Sequence, residues 1–120
     1  MQIEWHFVIS LGSLEFQELT LILVKEKEGR VGEVGCVLMD DSWVLREVWI
    51  KREFQARGWG TRLLKTLEPQ FGQRRCFCTP PAVLANFYNR IGFRLIPQVE
   101  VPDFLRDFQT NGHIIMRRGN

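Results

Sequence analysis

The chain has 120 residues, 45% of them hydrophobic and 25% charged, with a formal net charge of +2. That is the make-up of one ordinary globular domain spanning the whole chain, with length for one core and not for two. A charge this small gives no argument for nucleic acid, and no apolar run approaches the ~20 residues of a membrane span.

Cys36, Cys76 and Cys78 are an odd set with C-x-C spacing, and His6 and His113 lie far from them in sequence. They support neither a disulfide framework nor a zinc site, so no metal is expected and a reducing cytoplasm is the expected compartment. The opening M-Q-I-E-W-H-F lacks the basic region and apolar run of a secretory signal. The doublets Arg74-Arg75 and Arg117-Arg118 read as solvated surface.

Ile3, Trp5, Phe7 and Ile9 alternate with mostly polar neighbours, the two-residue period of a half-buried strand. A short break at Gly12-Ser13 follows. Leu19 to Lys25 is nearly continuous in apolar character, which predicts a central strand. Val31 to Met39 and Trp43 to Lys51 are the third and fourth strands, joined through Asp40-Asp41-Ser42. These three make an antiparallel meander.

After Gly60 the period changes. Leu63, Leu64, Leu67 and Phe71 recur at helical spacing, and Pro69 should end or distort that helix. Arg74 to Thr79 is a fifth strand, reached by a helical crossover that implies parallel pairing. Thr79-Pro80-Pro81 predicts a helix start, with Leu84, Phe87, Tyr88 and Ile91 on one face and Gly92 at its end. Phe93 to Ile96 is a sixth strand, Pro102 to Phe108 a short helix, and His113 to Arg118 a closing strand. The fold class is therefore α+β: a mixed, mostly antiparallel central sheet flanked by helices.

Val48 to Leu64 reads as a strand end, a short basic loop and a glycine-paired turn into a helix. In Gln55-Ala56-Arg57-Gly58-Trp59-Gly60, several main-chain N–H groups meet a helix N-terminus, with arginines nearby. That arrangement suits an anion, and a pyrophosphate is the expected one. Glycine allows close approach to phosphate or a positive φ.

The Q-x-x-G-x-G pattern after V-x-I resembles the acetyl-CoA signature of the GNAT superfamily of N-acetyltransferases. Asn86-Phe87-Tyr88-Asn89-Arg90-Ile91-Gly92-Phe93 resembles its second signature, a helix ending in tyrosine before G-F opens a strand. The two stand in the family's order, with a strand and a helix between them. The resemblance, over roughly Leu19 to Arg118, implies the acyl-CoA N-acyltransferase fold with acetyl-CoA (CoA) as cofactor. It implies that Trp49 and Ile50 hold the pantetheine arm and thioester through the main chain. Gln55, Arg57, Gly58, Trp59, Gly60 and Thr61 match the pyrophosphate loop, and Tyr88 the residue held near the CoA sulfur. One departure stands out: the family has two helices after its first strand, where this chain has only about Ser10 to Glu18.

An amine nucleophile with a pKa of ~10.4 costs about 4.6 kcal/mol to deprotonate at pH 7, at about 1.36 per unit. A carboxylate near the acceptor would help, and Glu47 on the fourth strand and Glu33 on the third are the candidates. A main-chain N–H near Ile50 would stabilise the oxyanion. Tyr88, with a phenol pKa of ~10 against ~8.5 for a thiol, is expected to hydrogen-bond the departing sulfur rather than fully protonate it. The expected activity is acetyl transfer by direct attack in a ternary complex, to an amine-bearing small molecule or protein. The alternative is a catalytically weak CoA-binding regulatory or interaction module of the same fold. The acceptor stays open at this stage, as does a homodimer.

Overall fold

The computed structural model describes residues 5–11, 17–25 and 27–119, with the backbone alone at 5–11 and at Thr110. The strands are β1 (Trp5–Leu11), β2 (Glu18–Lys25), β3 (Gly29–Met39), β4 (Ser42–Ile50), β5 (Cys76–Cys78), β6 (Phe93–Leu95) and β7 (Met116–Arg118). They form one seven-stranded sheet in the order β1-β2-β3-β4-β5-β7-β6. Every neighbouring pair is antiparallel except β4 and β5. The β3–β4 hairpin turns on Asp40 and Asp41, at φ of 48° and 63°. Two successive positive φ values match the right-handed twist of the strands, and short polar side chains tolerate them best.

The chain crosses from β4 to β5 through α1 (Trp59–Leu67), which lays Leu63, Leu64 and Leu67 on the sheet. Beneath them lie Leu19, Leu21, Leu23, Val34, Cys36 and Leu45, all in one buried cluster. The opposite face holds a smaller cluster: Val44, Phe77 and Ile115 with Ile96, Val101 and Leu105. As Pro69 predicts, α1 stops at Leu67 and tightens into a 3₁₀ turn at Glu68–Phe71.

The register slips once within β4. Gly35 pairs with Glu47 and Cys36 with Leu45, so Arg46 is an extra residue on β4. A bulge of this kind reverses the direction in which later peptide groups point. The Trp43 N–H reaches β5, donating to Arg75 O at 2.8 Å. Eight residues on, the Lys51 N–H reaches the other way, to Val31 O at 2.7 Å. Beyond the bulge, the N–H groups of Val48 and Ile50 therefore face the β5 side. No strand meets them there among the described residues, because β4 and β5 pair only at Trp43–Cys76 and Val44–Phe77.

Several expectations need correction. β2 is the second strand from one edge, not central, and its Leu19, Leu21 and Leu23 alternate with half-buried Thr20, Ile22 and Val24. Thr79 does not cap the next helix: Pro81 is extended (φ −57°, ψ 144°) and bridges to His113. A 3₁₀ turn at Ala82–Leu84 then leads into α2 (Ala85–Arg90), which has no side-chain cap. Proline's fixed φ suits extended chain as well as a first helical turn, and tertiary pairing decided between them. Leu84 and Phe87 are exposed, while Tyr88 is half-buried and Ile91 buried. The C-terminal helix is of the 3₁₀ type and runs from Asp103 to Asn111. The proposed start of the first strand at Ile3 and the break at Gly12-Ser13 lie outside the described residues.

Leu64 is wholly buried between α1 and the sheet. Leu64→Ala should lose about 2–5 kcal/mol of stability, through lost transfer energy plus a residual cavity. Urea unfolding checks this, and a loss well below that range would mean that the helix is not closely packed.

Candidate functional site

The residues singled out by sequence gather around the mouth of the β4–β5 gap. Gln55 ties the loop to the strand end, its Nε2 donating to Ile50 O at 2.9 Å. Ala56 (φ 60°) and Gly58 (φ 80°) are both left-handed, and Gly58 directly precedes α1 with no side-chain cap. Alternating hands in consecutive residues turn main-chain N–H groups toward a common centre, the geometry of an anion nest. A Cβ built on Gly58 meets nothing within 4 Å. Its glycine is explained by φ alone, and the loop is open to solvent on that side.

Gly60 has a different cause. Its Cβ would come 3.0 Å from Ile91 Cγ2, so it is small because the end of the Tyr88 helix packs against it. A neighbouring link is the Thr61 hydroxyl, which donates to Arg90 O at 3.4 Å. The Trp59 side chain is buried in the core, with the Arg62 guanidinium 4.1 Å from its ring centroid. Only its main chain remains for the loop. Arg57 is exposed and 5.8 Å from the Phe54 ring centroid.

Tyr88 packs edge-on between Phe87 at 5.1 Å and Phe93 at 6.0 Å, against the core cluster beneath α1. Burial first, and then nearby Cys78, push its phenol above the usual range, so it stays protonated and is a hydrogen-bond donor. Cys36, Cys76 and Cys78 are buried free thiols. A hydrogen bond with Cys76 and burial push the Cys36 thiol up, and burial does the same to Cys78. Buried, protonated thiols are poor nucleophiles.

The other face of the sheet carries an open cleft of about 240 Å³ lined by Glu18, Thr20, Glu33, Gly35, Cys36, Arg46 and Glu47. Glu18 Oε1 pairs with Arg46 Nη1 at 2.9 Å. Glu33 is mostly buried and takes Arg30 at 3.2 Å and the Trp49 indole N–H at 3.4 Å. Its carboxyl also hydrogen-bonds that of Glu47, which raises the Glu47 pKa; burial adds to this, and Arg46 opposes it. The two candidate bases thus form one pair.

Glu47, Glu33 and the Trp49 indole share this acidic face, whereas Tyr88 belongs to the opposite one, with the gap between them. The Trp49 N–H, by the alternation above, points to β3. Reasoning from sequence missed Glu18 and Arg46. The adjacent polar pair Arg46-Glu47, between the apolar runs 43–45 and 48–50, was the available signal of a bulge.

The match of residues 17–95 to the model of the acetyltransferase (GNAT) domain places this chain in the GNAT acetyltransferase family. Curated proteins gave no match. Among solved structures, a GNAT-family acetyltransferase from Staphylococcus aureus Mu50 superposes with a TM-score of 0.67 at 15% identity, covering 84% of this chain and 67% of its own. The PaiA N-acetyltransferase from Thermoplasma acidophilum, crystallised with coenzyme A, gives 0.64 at 16% identity, covering 86% and 61%. Tetrahymena GCN5 gives 0.62 at 15%, covering 84% and 67%. The mixed, mostly antiparallel sheet with its flanking helices is the GNAT fold, and the chain spans 61% to 67% of the length of these three structures. No described helix is long and apolar enough to cross a membrane.

The raised Glu47 pKa has a consequence for stability. The folded protein binds protons more tightly than the unfolded chain here, so the contribution is full below the ordinary carboxylate range. It is lost as pH rises through the raised value and the two carboxylates begin to repel. Glu47→Gln should flatten that decline in urea midpoints measured from mildly acidic to neutral pH, whereas an unchanged slope would show that the pair does not share a proton.

Proposed function

We propose that this chain is an acetyl-CoA-dependent N-acetyltransferase acting on a primary amine by direct attack. The observation that carries the reading is the gap beside β4, with the N–H groups of Val48 and Ile50 turned into it and the nest-forming loop at its mouth. The pantetheine arm is a chain of amides, and unpaired strand N–H groups are what it needs. The Gln55–Thr61 loop fits the pyrophosphate through main-chain N–H, with Arg57 available from solvent. Bound there, acetyl-CoA supplies the activated acetyl group.

This chain's residues then divide the work. The Ile50 N–H is aimed where negative charge develops on the carbonyl oxygen. Tyr88, protonated and on the helix-covered face, donates to the sulfur as the thiol departs. The amine enters from the carboxylate-lined face, where Arg46 and Arg30 already pair with Glu18 and Glu33, which leaves Glu47 to meet a cation. Glu47 holds the incoming ammonium and begins its deprotonation. The buried thiols argue against an acyl-cysteine intermediate.

Acetyl-CoA should raise the melting temperature, since a ligand that binds only the folded state stabilises it by mass action. Gly58→Val should remove most of that rise by straining the loop, whereas a full rise in a folded Gly58→Val would place the phosphates elsewhere. Tyr88→Phe keeps the ring packing and removes one hydrogen bond to a charged group, worth about 1.5–3 kcal/mol. Both kcat and kcat/KM should fall roughly ten- to a hundredfold, with the acetyl-CoA melting shift unchanged. Equal turnover in the two proteins would make Tyr88 a packing residue and favour the CoA-binding module.

A further inference from the structure

His113 lies outside both motifs, yet the sheet carries it to the gap. The β5–β7 pairing continues past Cys78–Met116 to a bridge between Pro81 and His113. In that register His113 falls on the same face as Phe77 and Ile115, which is also the face of Glu47. The carbonyl directions of this strand follow from two bonds: Arg75 O accepts from Trp43 of β4 at 2.8 Å, and Pro80 O accepts from Ile114 N at 2.9 Å. Alternation then turns Thr79 O toward β4, at the level where β4 has departed. His113 Nδ1 lies 2.7 Å from that oxygen. The imidazole therefore takes the place that a strand N–H would fill, at the edge of the gap.

A carbonyl oxygen can only accept, so Nδ1 carries the hydrogen, and in the neutral ring the lone pair then sits on Nε2. Fixing one ring nitrogen on a carbonyl orients the other as a base. We propose that His113 is a catalytic base of this site, taking a proton from the amine nitrogen as the C–N bond forms; this rests on the acetyltransferase reading above. An ammonium must lose two protons to become an amide N–H. The first leaves through Glu47 to solvent, and the second goes to His113 Nε2 while the thioester C–S bond breaks with its electron pair on sulfur. The sulfur takes up one proton, His113 returns its own to water, and one proton is released per turnover. The charged groups sharing this face are Glu18 of β2, Glu33 of β3 with its partner Arg30, Arg46 and Glu47 of β4, and Arg117 of β7 with its partner Glu100 at 3.3 Å.

The test uses the full chain with acetyl-CoA and an amine that the parent acetylates. In His113→Asn, the amide N–H can still donate to Thr79 O, which preserves the local fold. It should keep the acetyl-CoA melting shift and lose ~10²–10⁴-fold in kcat, the usual worth of a positioned base. In His113→Ala, free imidazole should restore part of kcat, while it should do nothing for Tyr88→Phe. Turnover at the parent rate in His113→Asn, or no response of His113→Ala to imidazole, would overturn the proposal. A parent with no acetyl-CoA melting shift and no thiol release would instead overturn the acetyltransferase reading on which it stands.

Discussion

One inserted residue governs this molecule. Without Arg46 the alternation of peptide groups along β4 would keep one phase, and the strand could pair with β3 and β5 throughout. With it, the N–H groups of Val48 and Ile50 are turned outward while β5 is left behind after two pairs. Unpaired strand N–H groups are costly when buried and useful when a ligand supplies the carbonyls. The bulge and the short β4–β5 pairing turn sheet interior into an open edge without a break in the chain.

The gap also separates two chemical environments. On one side, aromatic and thiol groups lie in a poorly solvated layer beneath the helices, where a hydroxyl stays neutral. On the other, carboxylates and their arginine partners line an open cleft. The proposed reaction between a neutral thioester and a charged amine would use both conditions, and a single sheet one strand thick keeps them apart. The faces differ because α1 covers only one of them, and the C-terminal 3₁₀ segment covers only the β5 end of the other.

Elements with a strong local signal were legible from sequence. Leu63, Leu64 and Leu67 at helical spacing, ended by Pro69, marked α1, and Asp40-Asp41 marked the hairpin. Where two local conformations were equally acceptable, tertiary pairing decided, as at Pro81. Apolar spacing at Leu84 and Phe87 indicated a helix face but not what covers it. A glycine in sequence does not declare its reason, and Gly58 and Gly60 have different ones. Glu33 with Glu47, and Thr79 with His113, depend on register across strands, which is set by the whole sheet and not by any window of sequence.

The contact between Gly60 and Ile91, with the Thr61–Arg90 bond beside it, joins the two motifs into one physical unit. The glycine turn and the tyrosine helix are separate words in the sequence but pack together so closely that a Cβ at position 60 would come 3.0 Å from Ile91 Cγ2. Neither can drift alone: a larger residue at position 60 needs a smaller one at position 91. Substitutions at the pair should therefore be strongly non-additive. The packing of this one pair thus sets the spacing between the glycine turn and the tyrosine helix.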